Sequence, residues 1–130
     1  MGFQKLERKG RKTGLFGNSK EKALTKLRKE IRTGIYAYFI LSLLKKDKMH
    51  GYAIRKALEE LSDGNFVPTE STLYGILKTL EKYNMIKGEW MEVGGRTRKY
   101  YEITHLGEDV FQELKKEIEL VKRLLETGYL

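Results

Sequence analysis

The chain has 130 residues, 26 lysines and arginines against 18 acids, a net charge of +8 and no cysteine. That length suits one domain, and the lack of cysteine excludes disulfides, zinc–thiolate sites, iron–sulfur clusters and a cysteine nucleophile. The longest apolar run, Ile35 to Leu44, is far short of the roughly 20 residues that cross a bilayer, and no signal-like segment opens the chain, so a soluble cytoplasmic protein with no membrane partner is expected.

The charge is lopsided. Residues 1–32 carry eleven bases and three acids, whereas residues 33–130 carry fifteen of each. Such asymmetry predicts a basic arm for a polyanion, attached to a nearly neutral body. Residues 1–19 are that arm: they show little periodicity, hold four glycines, and offer Lys5, Arg8, Lys9, Arg11 and Lys12 to phosphates.

A helix is predicted from Ser19, its expected cap, with Glu21 in the first turn. Ala23, Leu24, Leu27 and Ile31 recur at helical spacing, and Gly34 is expected to kink or break the helix. The run Ile35–Leu44 is apolar on nearly every face and so requires cover on every side. One small core covers one side only, so Tyr36 and Phe39 are assigned to contact with a second subunit. A second amphipathic helix follows, from His50 to Leu61, with Ile54, Ala57, Leu58 and Leu61 on one face. Ser62-Asp63-Gly64-Asn65 supplies a turn, Pro68 holds Val67 extended, and Thr69 is a natural N-cap.

The third helix buries Leu73, Ile76, Leu77 and Leu80. Its outward face then carries Ser71, Thr72, Gly75, Lys78, Thr79 and Lys82. Hydroxyls and lysines in the first turns are the groups that reach phosphates and base edges in a major groove. Gly75 costs about 1 kcal/mol relative to Ala inside a helix, a cost that makes sense where something must approach the backbone closely. Tyr74 either turns its hydroxyl to a phosphate or packs. Asn84 suits the left-handed position after the helix. Strands over 85–92 and 97–104 flank Gly94-Gly95, a hairpin signal. Arg96, Arg98 and Lys99 cluster at that tip, where core packing needs none of them; with Tyr101 they are the expected DNA contacts of a wing. Thr104 then caps a last helix to about Thr127. Its Phe111, Leu114, Ile118, Val121 and Leu125 are spaced 3, 4, 3, 4, a short heptad seam assigned to dimerisation.

No catalytic constellation is present. His50 and His105 are the only histidines, each reads as a helix-start residue, and no metal or cofactor is expected. The one Gly-Gly pair sits between two strands, not between a strand and a helix as phosphate-binding loops require. Trp90, Tyr36, Tyr38 and Phe39 read as core; a pocket for a small aromatic or apolar effector is the alternative.

Three blocks carry a family resemblance: Met49-His50-Gly51-Tyr52-Ala53-Ile54, Ser71 to Glu81, and Gly95-Arg96-Thr97-Arg98-Lys99-Tyr100-Tyr101-Glu102-Ile103-Thr104 with Gly107. Over about residues 30–125 the chain resembles the PadR family of transcriptional regulators. The resemblance implies a winged-helix homodimer joined through its N- and C-terminal helices, acting in transcriptional control, often as a repressor relieved by a small molecule. Gly75 stands where the family often has Pro, Asn84 where it often has Gly, and the basic arm is longer than usual. The expected architecture is mainly α (α+β): a basic arm over 1–19, a winged helix-turn-helix over 20–104 and a C-terminal dimerisation helix over 105–130. The expected function is sequence-specific binding of double-stranded DNA at an inverted-repeat operator, without enzymatic activity. An RNA-binding winged-helix protein and a protein-interaction module are the alternatives.

Overall fold

A computed structural model describes residues 18–130, so the arm positions Lys5, Arg8, Lys9, Arg11 and Lys12 lie outside the described residues. The elements are α1 (Ser19–Lys46), β1 (Met49–His50), α2 (Gly51–Leu61), α3 (Glu70–Lys82), β2 (Ile86–Val93), β3 (Arg96–Ile103) and α4 (His105–Glu126). The chain divides into two units, one ending at Gly34 and one beginning at Ile35.

In the first unit, Asn18 caps α1. Its Oδ1 accepts the Glu21 N–H at 2.8 Å, so the cap lies one residue before the expected Ser19. Lys26 and Glu30 pair across one turn at 3.1 Å. Leu24, Leu27 and Ile31 are all exposed. Gly34 does not break α1, which is helical through it.

The second unit holds one hydrophobic core. Tyr36, Ile40, Leu41 and Leu44 of α1 meet Ile54 and Leu58 of α2, the four stripe residues of α3, Ile86, Tyr101 and Phe111. Burial on one side of α1 corrects the assignment of Tyr36 to a subunit interface: it is a core residue of its own chain, with its ring 5.0 Å from that of Phe66. Phe39, on another side of the helix, stays at the surface with 37% exposed.

The sheet is antiparallel, in the order β1-β3-β2. Gly94 and Gly95, at φ +61° and +78°, form the two-residue turn that closes Val93 against Arg96. Positive φ at both central residues matches the strands' own twist. The two-residue β1 pairs Met49 with Tyr101 and His50 with Tyr100, and His50 also starts α2 as its N-cap.

Two caps fix the hairpin to the helices. Asn84 takes φ +60°, and the Met85 N–H returns to the Leu80 carbonyl at 2.9 Å, a left-handed helix stop. Thr104 accepts the Gly107 N–H at 3.0 Å and donates to the Asn84 carbonyl at 2.7 Å. A Cβ at Gly107 would stand 2.0 Å from the Met85 carbonyl oxygen, so only glycine lets the first turn of α4 lie on this junction. Phe111 stacks on Tyr38 at 4.9 Å and is 7% exposed. It too belongs to the core of its own chain, which corrects its assignment to dimerisation. Leu114 and Ile118 are half-buried, and Val121 and Leu125 are exposed. The architecture is a mainly helical winged helix-turn-helix whose last helix outruns its core. Among the described residues, no helix is long and apolar enough to cross a membrane.

Candidate nucleic-acid interface

α3 presents its polar side because its apolar stripe is fully committed. Leu73, Ile76, Leu77 and Leu80 are buried, while Ser71, Gly75, Lys78 and Thr79 are exposed. Thr69 caps the helix by accepting the Thr72 N–H at 3.1 Å, and its hydroxyl lies 3.0 Å from that of Thr72. Thr72 is therefore half-buried and engaged with the cap. The Thr79 hydroxyl donates to the Gly75 carbonyl at 3.1 Å. Among the described residues, nothing beyond the helix's own turn lies within 4 Å of where a Gly75 Cβ would sit, so the backbone is open to an approaching ligand there.

Tyr74 packs. A Cβ at Gly51 would come within 2.5 Å of the Tyr74 hydroxyl, so the missing side chain at Gly51 lets α3 rest on the first turn of α2. The ring still keeps 47% of its surface exposed.

The wing residues divide by role. Arg96 is exposed at the tip. Lys99 reaches inward: its Nζ lies 3.1 Å from Glu81 Oε1, tying the wing to α3. A Gly88 Cβ would collide with the Lys99 stem at 2.3 Å, so Gly88 gives that stem its path. Tyr101 is 5% exposed. It packs in the core, where the sequence predicts a wing contact for DNA, and it also lines the cleft beside the wing. Burial raises the Tyr101 pKa, with Glu81 and Tyr74 adding to the shift.

Arg98 is held by two aromatic neighbours. Its Nη1 is 2.7 Å from His50 Nε2, and its guanidinium lies over the Tyr52 ring at 5.9 Å. His50 Nδ1 accepts the Ala53 N–H at 3.2 Å, capping α2. Both contacts ask the ring to accept. A neutral imidazole carries one N–H and can accept at only one nitrogen, and a charged ring can accept at neither. Burial, followed by the charge of Arg98, lowers the His50 pKa below its usual 6.5.

His50, Tyr52, Tyr74 and Trp90 join Arg96, Arg98 and Lys99 around a cleft of about 570 Å³ beside α3, whose lining includes no carboxylate. The sequence reading missed His50, Tyr52 and Trp90 as members of this site. Trp90 is 68% exposed, which overturns its reading as core. Phe39 lines a different, apolar cleft. Strand alternation puts Trp90 on the face of Ile86 and Gly88, opposite Lys99. That face is covered at Ile86 and Tyr101 but bare at Trp90. Among the described residues, no group of three His, Asp or Glu is placed to hold a metal.

Comparison with known proteins places this geometry. The sequence model described as the transcriptional regulator PadR-like family matches residues 40–113. A transcriptional regulator from Clostridium thermocellum superposes with a TM-score of 0.71 at 32% identity, over 78% of this chain and 99% of that one. A PadR family transcription regulator from Clostridium difficile superposes with a TM-score of 0.61 at 32% identity, over 69% of this chain and 93% of that one. The transcriptional regulator YqjI of Escherichia coli is 29% identical over 88 residues, 68% of this chain and 41% of its own length.

Proposed function

The chain belongs to the PadR-like family of transcriptional regulators, and we propose that it binds an inverted-repeat operator as a homodimer and represses transcription until a small molecule releases it. DNA-binding regulation follows from the family. The operator, the repression and its relief are the finer reading. The observation that carries it is the exposed row of Ser71, Gly75, Lys78 and Thr79 on a helix whose whole apolar stripe is buried, set beside a basic wing.

In this reading α3 enters the major groove, with Ser71, Thr72, Lys78 and Thr79 facing base edges and phosphates and Gly75 admitting close approach. Arg96 and Arg98 grip the flanking backbone, and Lys99 holds the wing to α3. Lys5, Arg8, Lys9, Arg11 and Lys12 add phosphate contacts. The protein works in the cytoplasm. An apolar cleft of about 540 Å³, walled by Phe39, Leu43, Leu61 and Phe66, is large enough for a small aromatic or apolar effector. Phe39, Leu114, Ile118, Val121 and Leu125 lie at the dimer contact. Two-fold symmetry would then set the two α3 helices about 34 Å apart, one DNA turn.

The test is to sequence genomic fragments retained by the protein at physiological salt. A shared motif with two-fold symmetry is expected. Retention of fragments without any common motif would overturn sequence-specific regulation.

A further inference from the structure

The wing and α2 meet at a ring that has one acceptor too few. His50 Nδ1 lies 3.2 Å from the Ala53 backbone nitrogen, and Nε2 lies 2.7 Å from Arg98 Nη1. Both partners are donors, and a neutral imidazole has a single bare nitrogen. If Nδ1 caps α2, an Nε2–H points at an Arg98 N–H. If Nε2 accepts from Arg98, the cap is lost. The neutral ring therefore satisfies one partner at the expense of the other, and Arg98 is parked there at little cost to remove. Its guanidinium also lies over the Tyr52 ring at 5.9 Å, and the lining of the cleft offers it no carboxylate.

The surroundings make the ring answer to Arg98. From α2 the Tyr52 ring stacks 6.3 Å from His50, and from β3 the Tyr100 ring meets it edge-on at 5.2 Å. Arg96 and Lys99 of β3 and Tyr74 of α3 line the same cleft, with Lys99 paired to Glu81 of α3 at 3.1 Å. Arg98 is the charge that touches the ring. Burial first, and then that charge, hold the His50 pKa down. A phosphate that draws Arg98 away removes the second cause and adds a negative charge, which favours the protonated ring. Protonation forfeits the cap whether or not DNA is bound, so that cost cancels between the two states.

We infer that His50 is a proton-linked positioning residue for Arg98: the neutral ring holds the guanidinium back, and a proton taken up from solvent expels it toward a DNA phosphate. The inference rests on the Arg98–phosphate contact of the reading above and adds regulation by pH, which that reading does not contain. Between the two His50 pKa values, free and bound, the DNA complex holds more protons than the free protein. Affinity for DNA therefore rises as the pH falls through that window. One proton changes affinity by at most about ten-fold per pH unit, and the profile is flat above the window. The fold loses stability over the same descent, so binding and stability respond to acid in opposite directions. A phosphate contact acts on every sequence alike.

The full chain is titrated into a labelled duplex carrying the retained motif and into an unrelated duplex, followed by anisotropy at constant ionic strength. The pH is stepped from about 8 down to about 5, where histidine titrates, over the part of that range in which circular dichroism shows the chain folded. Affinity for both duplexes is expected to rise about three-fold or more, the effect of half a pKa unit. His50→Asn keeps an acceptor for the Ala53 N–H but has no titrating ring, and the rise should be absent. Arg98→Ala should bind more weakly and with a shallower pH profile, because the ring no longer has a cation to lose. The second histidine of the chain, His105, is replaced in His105→Gln so that proton NMR follows His50 alone, and its pKa should rise when duplex is added. A gain in wild type no larger than in His50→Asn, or a His50 pKa unmoved by bound duplex, would overturn the inference while leaving DNA binding in place. No rise in anisotropy on either duplex at any pH would remove the DNA-binding reading and the inference together.

Discussion

α3 and α4 are both amphipathic, with apolar residues every three or four positions, yet among the described residues α3 finds cover for its whole stripe and α4 only for the start of its own. Leu73, Ile76, Leu77 and Leu80 are each 8% exposed or less. Along α4, Phe111 is 7% exposed, whereas Val121 is 52%, Leu124 48% and Leu125 66%. Periodicity records that a face is covered, not by what. A stripe covered by its own chain leaves the opposite side of the helix for a ligand, as on α3. A stripe left in water forfeits roughly 25 cal/mol for each Å² of apolar surface, and a second copy related by a two-fold axis would cover it with the same stripe.

The comparison breaks most visibly at the far end of α4. Ile118→Asp combined with Val121→Asp places charges on the seam, and the expected outcome is loss of the dimer with helix content unchanged by circular dichroism. A dimer that survives both charges would show that this face is not the contact. The anchored end of α4 should respond differently. Gly107→Ala forces a methyl onto the Met85 carbonyl, and backbone there has little room to yield. We expect a loss of about 1–3 kcal/mol, typical of overpacking, measured by urea denaturation. Unchanged stability would mean that the first turn of α4 is not seated as described.

On α3 the effect is on discrimination. Lys78→Ala should lower the ratio of operator to random-duplex affinity by about 1–3 kcal/mol in free-energy terms, the range for one base contact. Arg98→Ala should weaken both duplexes and keep the ratio. An unchanged ratio in Lys78→Ala would remove α3 from the role of reader.

The smallest effect belongs to the frame that holds α3 against the wing. Folded His50 takes up a proton only below its usual 6.5, whereas the unfolded ring does so near that value. Between the two, the unfolded state binds more protons, so stability is full above about 6.5 and falls as the pH drops through the window. Protonation also removes the acceptor for the Ala53 N–H and sets a charge against Arg98. His50→Gln should flatten this part of the pH–stability curve, as read by thermal midpoints. An unaltered curve would assign the acid sensitivity to other groups.

Much of the fold was legible because local chemistry and periodicity agreed. Thr69, Asn84, Gly94-Gly95 and Thr104 each do what their residue types prefer. The buried stripe of α3 follows directly from its spacing. What escaped depends on contacts between elements. A two-residue strand has no period to detect, so nothing in the spacing marks Met49 and His50 as β1, although His50 is legible as the start of α2. Tyr101 and Trp90 lie on the same face of the hairpin, and alternation cannot tell where the body beneath that face ends. Tyr36 and Phe111 sit on helices with more apolar surface than one core was expected to hold, and spacing alone could not separate a chain's own core from a partner's. Lys99 has the composition of a DNA contact, but only the structure shows Glu81 within its reach.

The sharpest difference between the two helices is whether the cover is internal or borrowed, and sedimentation velocity of the full wild-type chain at low micromolar concentration measures it. The expected result is a single boundary at twice the 15.2 kDa chain mass. A single boundary at the chain mass would leave the seam of α4 without a partner and contradict the two-fold reading of both the protein and its operator.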